Sequence, residues 1–60
     1  MFKAEIYFTI GHGIDKGTLS AKIEEELKNK VELWKEKNVG KEVKVLGHTS
    51  KIVLVEIKFL

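Results

Sequence analysis

His12 and His48 are the only histidines in this 60-residue chain, and Asp15 stands three residues after the first. Two imidazoles and a carboxylate form a ligand set for Zn²⁺ or Ni²⁺. The expected topology puts both histidines at one end of a sheet but on its two flanking strands, with about 10 Å of central strand between their backbones. No metal site is therefore assigned. No serine sits in a triad-like setting, and the carboxylates read as helix-surface and cross-strand partners. No catalytic residue is assigned, and a non-enzymatic protein is expected.

The other chemically suggestive stretch is Gly11-His12-Gly13-Ile14-Asp15-Lys16-Gly17-Thr18. Read as a loop leaving a strand and entering a helix, it could hold a phosphate or carboxylate on backbone amides at the helix start. Lys16 and Thr18 would assist, so Gly11, His12, Gly13, Lys16, Gly17, Thr18 and His48 form the candidate ligand or anion site. The spacing G-x-G-x-x-x-G matches neither the dinucleotide fingerprint nor the Walker pattern. The competing reading is that the glycines merely permit a tight turn.

Four elements would position these residues. Phe2, Ala4, Ile6, Phe8 and Ile10 alternate with Lys3, Glu5, Tyr7 and Thr9, the period of a half-buried strand. From Thr18 the period lengthens: Leu19, Ile23, Leu27, Val31 and Trp34 make one helical stripe, with Thr18 or Ser20 as cap and Asn38 to Gly40 as the stop. Alternation returns over 41–47 and again over 51–60, linked by a hairpin at Gly47-His48-Thr49-Ser50. The expected fold is α+β, a single β-α-β-β domain over 1–60. Its three-stranded mixed sheet has order 1-3-2, with the first two strands parallel and one helix packed on one face. Phe2, Ala4, Ile6, Phe8, Ile10, Val43, Val45, Val53, Val55, Ile57 and Phe59 would supply the sheet side of the core.

One helix covers one face, so the other face becomes informative. Tyr7, Leu46, Ile52 and Leu54 are expected to cluster there beside the glycine loop. Contiguous apolar surface of that kind marks an interface or a ligand groove. A 60-residue domain buries only about 60% of its unfolded surface, so help from outside its own core is expected. With no cysteine, disulfides cannot supply it. The expectation is a self-assembling homo-oligomer using Tyr7, Leu46, Ile52 and Leu54, with room for a small ligand at the subunit contact.

Composition narrows the alternatives. All eleven basic residues are lysine, interleaved with nine acidic residues for a net charge of +2. Without arginine, bidentate contacts to guanine and phosphate are lost, which disfavours sequence-specific nucleic-acid binding. An accessory nucleic-acid- or protein-binding module at the glycine-loop and hairpin end is the alternative function. The longest apolar run, Ile52 to Val55, cannot span a bilayer, and the N-terminal segment does not resemble a signal peptide. The expected setting is cytoplasmic, without a membrane partner. Lysine and glutamate in abundance suit an AT-rich genome and a thermophile.

The β-α-β-β order resembles dodecin-type subunits at one place in particular. Glu42-Val43-Lys44-Val45-Leu46-Gly47-His48 is followed there by a long strand ending Val55-Glu56-Ile57-Lys58-Phe59. The resemblance implies a hollow assembly of small subunits and flavin as cofactor. Dodecins stack an aromatic residue of the second strand on the flavin. Here that strand holds Val43, Val45 and Leu46, and the single tryptophan, Trp34, lies in the expected helix.

Overall fold

The computed structural model covers residues 1–60 and contains five strands and one helix. Strand β1 (Phe2–Ile10) turns back at once into β2 (Gly13–Ala21), and helix α1 (Glu24–Asn38) follows. Two short strands, β3 (Glu42–Val45) and β4 (His48–Lys51), then form a hairpin before β5 (Val53–Phe59) closes the chain. The main sheet has order β2-β1-β5, antiparallel throughout, and β3-β4 is a separate two-stranded sheet.

This corrects the expected β-α-β-β fold with its mixed 1-3-2 sheet. The central strand is β1, every hydrogen-bonded strand pair is antiparallel, and the segment after β1 is a strand. The cause is local. Gly11, at φ +69°, and His12 form a two-residue turn with the sign pattern of type II′, in which glycine takes the first central position. That turn pairs Ile10 with Gly13 and returns the chain along β1 as far as the Phe2–Ala21 rung. Leu19 fits both an alternating strand and the four-residue spacing of the helix, so spacing alone predicts an earlier helix start than the structure has.

Helix α1 begins three to five residues later than the expected caps imply, with Ile23 as its N-cap residue and no side-chain cap. Neither Thr18 nor Ser20 caps it. Glu24, Glu25 and Glu26 in the first turn, and Lys35 and Lys37 in the last, suit its dipole. Leu27 and Val31 are its buried residues. They pack with Ala4 and Ala21 to form the core, and Leu19 and Ile57 border it. Trp34 meets Phe8 with ring centroids 5.1 Å apart.

The helix lies on β2 and β1 and barely reaches β5. Only six residues are buried: Ala4, Ile6, Ala21, Leu27, Val31 and Ile52. Of the strand residues expected in the core, Val53, Val55 and Phe59 are instead more than half exposed. Val43 and Val45 pair with Ser50 and His48 in the separate hairpin. The expected link at Gly47–Ser50 is mostly strand, because the turn is only Leu46-Gly47. Both residues have positive φ, 53° and 83°, the pattern of a type I′ turn. A register shift between Tyr7 and Phe8 leaves Val55 as an extra residue opposite β1. No helix is long and apolar enough to cross a membrane.

Candidate functional site

Two turns meet at one end of the molecule. Gly11-His12 closes β1-β2, Leu46-Gly47 closes β3-β4, and β4 runs beside the end of β1. A Cβ on Gly11 would sit 3.8 Å from the Ser50 hydroxyl, which shows how near the hairpins come. Between them lies a cleft of about 320 Å³ lined by Ile10, Gly11, His12, Gly13, Val45, Leu46, His48 and Ser50. The structure thus brings together His12, His48, Gly11 and Gly13 of the sequence-derived ligand set. No group of three histidine, cysteine, aspartate or glutamate side chains is placed to hold a metal ion.

Lys16, Gly17 and Thr18 fall elsewhere. They lie along β2, and the helix begins at Glu24, so no helix N-terminus faces the glycines. Gly17 stands opposite Ile6, where a Cβ would lie 3.9 Å from the Phe8 ring. Lys16 and Thr18 belong to the open face of the main sheet. There Lys16 Nζ lies 3.4 Å from Glu5 Oε2.

The open face carries a connected polar cluster. The Tyr7 hydroxyl donates to Glu5 Oε2 at 2.6 Å, and Lys58 Nζ sits 5.6 Å from the Tyr7 ring centroid. The bond from Tyr7, with Lys16 and Lys58 near, holds the Glu5 carboxyl below its ordinary range although partial desolvation opposes this. The same bond to Glu5, then desolvation and the charge of Glu56, push the Tyr7 hydroxyl above its ordinary range. Strand pairing explains the cluster: Glu5 stands opposite Lys58 and Thr18, and Tyr7 opposite Glu56 and Lys16.

The expected apolar cluster on this face does not form. Tyr7 is there, but Leu54 pairs with Phe8 on the helix side. Ile52 is buried at the junction of β4 and β5, where its carbonyl accepts from the Gly40 amide and its own amide donates to the Lys41 carbonyl. Leu46 stands 95% exposed at the hairpin tip. The open face instead shows Ile14 and Val53 on either side of Thr9. Ile14 lies in the glycine-rich stretch whose composition reads as a loop. Its signal was the pattern Ile10-Gly11-His12-Gly13-Ile14, two β-branched residues around a tight turn.

Exposed apolar side chains also gather away from the open face. Phe2 and Phe59 flank Ala4 on the helix side and stay exposed. A groove of about 240 Å³ between β2 and α1 is lined by Leu19, Lys30, Leu33, Trp34, Lys37 and Asn38. The chain matches no protein-family model, no curated protein and no solved structure. The dodecin resemblance rested on a β-α-β-β order that this chain does not have.

Proposed function

We propose that this chain is a non-enzymatic, self-associating subunit. One observation carries the reading: the fold leaves eleven large apolar side chains exposed against six buried residues. The shape agrees, at 40 × 18 × 14 Å with a radius of gyration of 12.5 Å, against about 10 Å for a compact chain of this length. A core of Ala4, Ala21, Leu27 and Val31 is small beside the conformational entropy of sixty residues. Additional apolar burial is needed, and association with copies of itself supplies it.

Stability tied to association depends on protein concentration by mass action. Thermal or urea unfolding, followed by helix circular dichroism over a hundredfold dilution, is expected to move to lower midpoints as the protein is diluted. A midpoint unchanged across the series overturns the reading.

A second reading places an accessory binding surface at the turn end, and Leu46 favours it. A leucine with φ of 53° and 95% exposure satisfies neither backbone preference nor burial, an arrangement that suits a contact with another molecule. His12 and His48 flank it in the cleft. Chemical-shift titration with a single-stranded oligonucleotide at low salt distinguishes the nucleic-acid form of this reading. Shifts confined to the two turns support it, and no shift removes it.

A further inference from the structure

Strand β5 is a terminal strand of the main sheet. Its outer side is occupied only at Ile52, just before it begins, by Gly40 and Lys41. From Val53 to Phe59 no strand pairs with that edge. The Leu60 amide donates to the Lys3 carbonyl at 2.9 Å, which sets the parity of the ladder. In an antiparallel pair, alternate residues turn amide and carbonyl to the same side. Leu60, Lys58 and Glu56 therefore address β1, while Ile57 and Phe59 present theirs outward. The opposite edge, β2, is less available: the Lys30 ammonium donates to the Ser20 carbonyl at 2.7 Å. Gly13 and Gly17 further weaken that strand as a template.

The geometry points to a second copy of this chain as the occupant of the β5 edge, paired antiparallel about a two-fold axis through Ile57. This rests on the self-association reading and specifies its interface. The outward groups at Ile57 and Phe59 require the two strands to meet on residues of matching parity. With the axis at Ile57, Ile57 faces the partner's Ile57 as a hydrogen-bonded pair, and Glu56 faces the partner's Lys58. Symmetry repeats that pair, so the edge makes two unlike-charge contacts. Moving the axis one residue in either direction sets Glu56 against the partner's Glu56, or Lys58 against the partner's Lys58. Like charges directly opposite are destabilising, so the Ile57 register is favoured over both of its neighbours.

The pairing also answers the burial deficit. The two sheets join into six antiparallel strands, β2-β1-β5 continuing into the partner's β5-β1-β2, with both helices on one face. Between the helices, Phe59, 54% exposed in the single chain, meets the partner's Val55, which is 52% exposed. A lysine on an edge strand ordinarily discourages pairing with strangers. Here Lys58 is matched only by a strand that presents glutamate two residues from it, as this strand does.

The test is a charge swap read by sedimentation velocity, with circular dichroism on each variant to confirm an intact helix. Glu56→Lys and Lys58→Glu alone each turn two unlike contacts into two like ones, and each is expected to raise the dissociation constant about tenfold or more. The double variant, Glu56→Lys with Lys58→Glu, restores both contacts and is expected to recover the parent's association. Single variants that associate like the parent, or a double variant no better than the singles, overturn the β5 register while leaving self-association standing. A parent chain that stays monomeric overturns both. An independent check uses Ile57→Cys, the only thiol in the molecule. Opposed hydrogen-bonded residues have Cα atoms about 5.5 Å apart, within disulfide range, so mild oxidation is expected to give a covalent dimer. Failure to cross-link contradicts the pairing.

Discussion

At the scale of single residues, Glu5 and Tyr7 tie the open face to pH. Glu5 titrates below its usual value of 4.5 in the folded chain. Its contribution to stability is therefore complete above that value and is lost as pH falls through the depressed pKa. Tyr7 titrates above its usual 10.0, so its contribution is complete below that value and is lost as pH rises through the raised pKa. Urea midpoints are expected to hold near neutrality and fall at both extremes. Glu5→Gln should flatten the acid limb, and Tyr7→Phe should return the Glu5 titration, followed by carbon-13 NMR, toward its usual value. An unchanged Glu5 titration in Tyr7→Phe would show that the hydroxyl does not set it. Leu46 offers a test of the opposite sign. A left-handed backbone costs a non-glycine residue about 1 kcal/mol, and asparagine tolerates it best. Leu46→Asn is therefore expected to stabilise the subunit by up to about 1 kcal/mol, measured by urea denaturation at fixed protein concentration. Destabilisation would mean that Leu46 is buried in the assembly.

Elements are where sequence and structure agree and part. The alternation of Phe2 to Ile10 predicts β1 with its observed ends, because one face of that strand meets the helix and the other does not. The end of α1 was equally legible from Asn38-Val39-Gly40. Its start was not, because Leu19 and Ile23 continue the spacing of Leu27 and Val31 while belonging to β2 and the cap. The β2 strand hides behind Gly13, Asp15 and Gly17, poor strand formers held by their partners in β1. For the last third of the chain, apolar content on both faces of residues 51–60 suggested a central strand. That content instead marks an exposed edge. Of the candidate site, His12 and His48 were expected at one end of a 1-3-2 sheet but on its two flanking strands. That sheet does not form, and two separate hairpin turns bring both histidines to one cleft instead. The scattering of Leu46, Ile52 and Leu54 was not legible, because it follows from a two-residue turn and a register shift that change faces. The helix gives the element-scale prediction. Leu27 is 1% exposed at the centre of a very small core, and Leu27→Ala is expected to cost about 2–5 kcal/mol. A cost well under 1 kcal/mol in urea denaturation would show that α1 contributes little to holding the sheet.

For the whole molecule, a long, thin shape and an unfinished core are two views of one condition. One helix spans two of the three main strands, and the β3-β4 hairpin is a separate sheet that touches the main one through β4 and β1. What remains uncovered includes Phe2, Phe59, Val53 and Val55 around β5, and Ile14 on the far edge. Pairing along β5 brings Phe59 and Val55 of the two copies together and does not involve the cleft at the turns. Moderate salt screens the Glu56–Lys58 contacts, and with them part of the association. The central claim is that the folded chain is not a monomer. Sedimentation equilibrium on the intact protein at micromolar concentration measures this without labels or variants. The expected result is a mass that is a whole multiple of the 6.9 kDa chain, starting from two copies, and that falls on dilution. A mass of a single chain at every concentration, with the helix signal intact, would contradict the account.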